Sequence, residues 1–540
     1  MISRAILTLI LPILFCSPLS AGGGDLKSLM DKYDMKYWEF NLNITNLSTR
    51  ISGNVVLQAI STTPLDTFVC ELSSQMTIDS ILFNNTSVPY IHINDLILIK
   101  QKVVIPAGQL FSVSVFYYGA SDPSGRGKGI NNAIAEGTNR VTWTLSEPFF
   151  SYKWWPCKQD LRDKADSVAI NLTTSRGNLA GSNGIIESVS DIDSNTQCFK
   201  WKCRYPIAFY LVFFAVSNYY DYSFYTAIPG RSDSLLVQNF VYSKNYATAH
   251  KADIDQTGPL LRLFSSLFGE YPFMKEKYGH CMTPGTAMEH QTMTTIDRFD
   301  FWLVAHEMSH HWFGDYVTCS NWHDIWLNEG FASYAEYIAY EFLKSKTTAA
   351  SWLANTHKTV KTGPAGSIYV PGAFIKDDSR IFDWRLSYRK GASIIHILRY
   401  LINDDEKFFK MLRAWLSQNA NSVASAEDFK KIAESETGLD LTAFFEQWYY
   451  GKGYPVYRFK WDQTDKEIHI TINQKNILAG KPGFSIPLEV KIQYLLENEV
   501  VRLLVDKSEN SFTLPIKSIV TEVSLDPGNN ILCDIQKIED

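Results

Sequence analysis

Apolar and polar residues alternate along the first third of the chain, as in Phe40, Leu42 and Ile44, between turns rich in Asn, Ser and Gly. Period-two alternation is the signature of half-buried strands, and it predicts an all-β region from Tyr37 to about Ser217. The period then changes. Leu260, Leu261, Phe264, Leu267 and Phe268 recur at helical spacing, and this pattern persists through a helix ending near Tyr450, where Gly451-Lys452-Gly453-Tyr454-Pro455 breaks it. Alternation returns at Ile468, Ile470 and Ile472 and again at Ile486, Leu488, Val490 and Ile492, which predicts a small β-sandwich of about 85 residues. The expected architecture is therefore multidomain α+β, with a β domain over 22–217, a mainly helical domain over 218–455 and a β-sandwich over 456–540. No internal repeat or low-complexity tract interrupts it.

Length agrees with this division, since 540 residues exceed what one core organises. Forty-five per cent hydrophobic residues mark a globular chain. The N-terminus carries Arg4, an apolar stretch from Ala5 to Phe15 and small residues ending at Ala21, the pattern of a signal peptide over 1–21. That apolar run is well short of the ~20 residues a membrane span needs, so no transmembrane anchor is expected in the mature chain. Cys16 raises a lipoprotein cleavage, which the bulky Phe15 before it disfavours. The expectation is export to a periplasmic or extracellular space. A net charge of −6 is modest, and no basic cluster interleaved with aromatics points to nucleic acid.

Against this background His306-Glu307-Met308-Ser309-His310 stands out, with eighteen residues separating His310 from Glu329 in WLNEGFASYAEYIAYE. Residues four apart on a helix share a face, so both imidazoles can reach one ion. Glu329, near the start of a second helical pattern from Ile325 to Glu341, can supply a third ligand across an interhelical gap of about 8–10 Å. Two imidazoles and a carboxylate, with a fourth position left open, make a catalytic zinc site. The segment FWLVAHEMSHHWF is apolar nearly all round, as in a buried helix. Burying two His and a Glu without partners would cost roughly 2–7 kcal/mol for each group, and a shared metal removes that cost. His311 turns about 100° away from His310 and is read as a packing residue. Glu336, seven residues after Glu329, returns to the same face; it is read either as the carboxylate that orients a ligand imidazole or as a solvated helix residue.

These residues carry a resemblance. HEMSHHWFGD and WLNEGFASYAE, preceded by TAMEH and followed by SYRKGAS, are similar to the zinc aminopeptidase family of aminopeptidase N and leukotriene hydrolase, the gluzincins. SEPFFSYKWWPCKQDLRDKA, YPIAFYLVFFAV and FFEQWYYGKGYPV extend the likeness over roughly residues 37 to 456. It implies a saddle-like N-terminal β domain, a thermolysin-like catalytic domain, one zinc per chain and an aminopeptidase acting on peptides with a free N-terminus. It also implies roles. Glu307 is the general base acting on a zinc-bound water. Tyr388 matches the family's catalytic Tyr-x-Lys-Gly position and donates to the oxyanion. Glu289 of Thr286-Ala287-Met288-Glu289-His290 matches the Glu of Gly-x-Met-Glu-Asn, which binds the substrate ammonium, although Thr replaces Gly and His replaces Asn. Glu147 aligns with the amine-binding position of the N-terminal domain. His290, on the opposite face of an expected strand from Glu289, is given a supporting role.

A zinc endopeptidase, an epoxide hydrolase of the leukotriene type and an inactive peptide-binding scaffold are the alternatives; a scaffold would be expected to lose ligands or Glu307, and all are kept. If Cys16 leaves with the leader, seven cysteines remain, at least one of them unpaired. In an oxidising compartment Cys198 and Cys203 are the expected disulfide.

Overall fold

The computed structural model describes residues 26–121 and 128–538. The expected leader and Cys16 lie outside them. Among the described residues no helix is long and apolar enough to cross a membrane.

The N-terminal region is β-rich, as its alternation requires. An eight-stranded sheet has Tyr33–Ile44 near its centre, antiparallel to Arg50–Ser61 and parallel to Ser167–Ser175. One face of Tyr33–Ile44 is buried, and Trp38 and Phe40 pack there against Trp155, with ring centroids 5.0 Å apart in both pairs. A four-stranded sheet of Leu179–Ser182, Phe214–Ser217, Arg140–Leu145 and Gly129–Ile134 leads toward the rest of the molecule.

The middle region is helical, with one departure from the sequence expectation. Before and between its first helices stands a mixed five-stranded sheet that includes Ser234–Val241, Tyr278–Met282 and Thr294–Ile296. Every residue of Tyr278–Met282 is buried. A strand covered on both faces has no alternation to betray it. The helices that matter for the site are α1 (Thr257–Phe268), α2 (Phe301–Ser309), α3 (Trp326–Leu343), α4 (Lys346–Lys361) and α5 (Gly391–Ile402). A π-helical stretch, Trp384–Lys390, runs directly into α5.

The C-terminal region packs a four-stranded sheet around Glu467–Asn476 and Pro455–Gln463 against a three-stranded sheet centred on Ile486–Tyr494. Ile468, Ile470, Ile472, Ile486, Leu488, Val490 and Ile492 form its core.

The cysteine expectation fails. Cys198 and Cys203 belong to one strand, Thr196–Cys203, opposite Thr173 and Val168 respectively. Five residues of extended chain separate them by about 17 Å, whereas a disulfide needs Cα atoms within roughly 7 Å. All seven described cysteines are buried free thiols.

Candidate metal and peptide-binding site

The site begins with α2. Leu303 through Ser309 are all buried, which the all-round apolar pattern anticipated, and the helix carries His306 and, at its C-cap, His310. Their rings lie 4.9 Å apart at 77°. Each has its outer nitrogen occupied: His310 Nδ1 is 3.1 Å from the Phe313 carbonyl oxygen and His306 Nδ1 is 3.0 Å from Glu336 Oε1. With those nitrogens donating, both Nε2 lone pairs turn inward. Glu329, in the first turn of α3 where the helix dipole favours a carboxylate, puts Oε2 3.4 Å from His306 Nε2 and 3.3 Å from His310 Nε2.

These three residues are the metal-capable cluster among the described residues, with ligand atoms within 4.8 Å of one another. The oxygen Glu329 Oε2 is buried and makes no hydrogen bond. Three buried donors converging on one point without bonding each other, in an N₂O set, fit a zinc ion. The electrostatics agree. Burial works against the Glu329 charge, yet the two imidazoles hold its carboxyl down to about 2. Burial raises the neighbouring Glu307 carboxyl to about 8, with Glu289 and Glu329 pushing the same way and the imidazoles opposing.

The helices approach closely because of two glycines. A Cβ on Gly391 would sit 3.0 Å from Gly330 Cα, and one on Gly330 would sit 3.1 Å from Gly391 Cα. This crossing directly follows Glu329 in α3 and Tyr388-Arg389-Lys390 at the entrance to α5. It therefore brings the π-helical stretch onto the ligands. The Tyr388 ring lies 5.9 Å from that of His306, nearly parallel at 13°. Burial and the surrounding carboxylates, Glu329 first, hold its phenol protonated.

The other side is built jointly by two regions. Glu289 follows Met288, which makes an isolated bridge to Thr295; the strand expected over 286–290 is this one bridge, and His290 is placed by packing instead. Its ring stacks on Phe213 at 4.4 Å. Gly184 N–H donates to Thr292 Oγ1 (2.7 Å) and Asn183 Nδ2 to the Gln291 carbonyl (2.8 Å), so the N-terminal region anchors the loop carrying Glu289. Glu289 Oε1 is buried, unpartnered in hydrogen bonds and 3.8 Å from His310 Nδ1. Glu147 Oε1 is likewise buried and unpartnered. Burial, then Glu289, then Glu329 push the Glu147 carboxyl well up. Every residue singled out in the sequence for the site thus lies in one cluster. Glu336 is the orienting carboxylate of its two readings. His311 is buried away from the ligands, with Nδ1 2.7 Å from Tyr271 Oη.

Residues 282–448 match the family described as Peptidase family M1 domain. That stretch holds His306, Glu307, His310, Glu329 and Tyr388, so the likeness to M1 peptidase domains falls on the cluster itself. Tricorn protease-interacting factor F2 of Thermoplasma volcanium is 32% identical over 218 residues, 36% of this chain and 26% of that protein. Aminopeptidase N of Bos taurus is 25% identical over 348 residues, 56% of this chain and 34% of that one. The chain thus matches about a quarter to a third of the length of these relatives. An M1 zinc metallopeptidase structure from Deinococcus radiodurans superposes with a TM-score of 0.66 at 21% identity, covering 76% of this chain and 92% of that one, which establishes the shared fold.

Three residues of this site escaped the sequence reading. Arg389 and Trp352 hold Glu336 from behind (3.1 and 2.8 Å to Oε2). Asn328 steadies the approach to Glu329, accepting from Cys319 N–H at 3.2 Å. Arg389 and Asn328 each adjoin a residue the motifs had already singled out; Trp352 gave no signal.

Proposed function

We propose that this protein is a zinc-dependent aminopeptidase that removes the N-terminal residue from peptides. The observation that carries this reading is the pair of buried, unpartnered carboxylate oxygens on Glu289 and Glu147 beside a His306-His310-Glu329 cluster. One zinc per chain is held by those three ligands. When bound, zinc supplies Lewis acidity, which makes water acidic near neutral pH and polarises a carbonyl.

The chain's own groups do the rest. The Glu289 and Glu147 carboxylates pair with the substrate ammonium and fix the register, so that the first peptide bond meets the reacting centre. Glu307 takes a proton from the attacking water and passes it to the leaving amine, a transfer suited to a carboxyl whose pKa burial has raised. The Tyr388 phenol donates to the oxyanion of the tetrahedral intermediate. Glu336 holds the His306 tautomer. In the same reading 22–217 supplies Glu147, 218–455 the chemistry and 456–540 a packed support, and the leader over 1–21 directs export.

A panel of amino-acid anilides and their N-acetylated forms, with and without chelator, tests the activity. Cleavage of the free-amine series alone, lost on chelation, supports the proposal. Equal cleavage of acetylated substrates makes the enzyme an endopeptidase.

A further inference from the structure

The imidazole of His306 is gripped from two directions by consecutive residues. Tyr388 covers its ring face. Arg389 reaches its far edge through Glu336: Arg389 Nη1 donates to Glu336 Oε2 at 3.1 Å, and Glu336 Oε1 accepts from His306 Nδ1 at 3.0 Å. Adjacent residues serve one imidazole from two sides because they sit in the π-helical stretch that the Gly330–Gly391 crossing presses against α3. Trp352 of α4 donates its indole N–H to the same Oε2 at 2.8 Å, so both oxygens of this buried carboxylate are committed.

The guanidinium is itself clamped. It lies 4.0 Å from the Trp384 ring centroid and 5.1 Å from that of Trp352. A planar, delocalised cation stacked on two indoles has one orientation, and a flexible ammonium in its place would have several.

We propose that Arg389 is a positioning residue: through Glu336 it fixes the His306 imidazole in its metal-facing orientation, and so sets zinc affinity without touching metal or substrate. The inference rests on the zinc aminopeptidase reading. Its test is zinc affinity measured by chelator competition on the full chain, in the parent, R389Q and R389K, and again with each Arg389 change added to E336Q.

Carboxylates that orient metal-bound imidazoles are worth 10–100-fold in affinity. R389Q should therefore weaken zinc binding about tenfold, with R389K in between because it restores charge but not the stacked plane. In the E336Q background the R389Q change should add less than about twofold, since the path to His306 is already cut. At saturating zinc, R389Q should leave KM within about twofold of the parent. A parent that binds no zinc defeats the zinc reading itself. A parent that binds zinc while R389Q matches it, or loses as much with and without Glu336, overturns the role of Arg389. Should R389Q fail to fold, the R389K series decides on the same criteria.

Discussion

In the metal-facing half of the site, each nitrogen turned away from the centre has a partner: Phe313 carbonyl for His310, Glu336 for His306, with Arg389 and Trp352 behind Glu336. In the half proposed to bind the substrate amine, Glu289 is buried and Glu147 half-buried, each with a buried Oε1 that makes no hydrogen bond. The first half is orientated entirely from within the chain, so its few inward-facing atoms are ready for an ion. The second holds carboxyls whose ionised form burial disfavours, and a cationic partner is what would make that charge affordable. One half is organised to keep its ligand, the other to bind and release one.

Changes that separate the halves test this difference. The largest effects belong to the metal half. His310→Ala should remove most of the zinc found by elemental analysis and with it the activity, whereas Glu307→Gln should retain zinc while kcat falls about 10²–10⁴-fold. Zinc lost in Glu307→Gln would make that residue structural. Tyr388→Phe should lower kcat about 10²–10³-fold with little change in KM, because its bond forms in the transition state; a change confined to KM would contradict the oxyanion role. The smallest expected effect is mechanical. Gly391→Ala places a Cβ 3.0 Å from Gly330 Cα, and such overpacking costs about 1–3 kcal/mol in chemical unfolding. Because the same crossing sets Tyr388 against His306, kcat should fall more than KM rises. An unchanged unfolding midpoint would show that the helices have room to part.

The metal half was legible in the sequence because its logic is local. His306 and His310 follow the helical repeat, Glu329 opens the next helix, and Glu336 returns to its face two turns later. What escaped was set by tertiary contact. Arg389 reaches a carboxylate 53 positions away, and no periodicity encodes a π-helical stretch. The strand Tyr278–Met282 has no exposed residue to mark its pleat. The Glu289 segment is held by side-chain bonds to the N-terminal region and one isolated bridge, so an alternating-face argument did not apply to it. The cysteine pairing failed for a related reason: five positions are near in sequence but far apart along an extended strand.

The most direct test of the amine half is the coupling between Glu289 and the substrate's own charge. Removing one partner of a buried ion pair costs roughly 3–5 kcal/mol, so Glu289→Ala should lose about 10²–10³-fold in kcat/KM on free-amine anilides. N-acetylation of the substrate should penalise the parent enzyme by a similar factor and cost Glu289→Ala almost nothing more. An acetylation penalty as large in Glu289→Ala as in the parent would mean that the ammonium is read elsewhere and that the unpartnered carboxylates are not what defines the substrate.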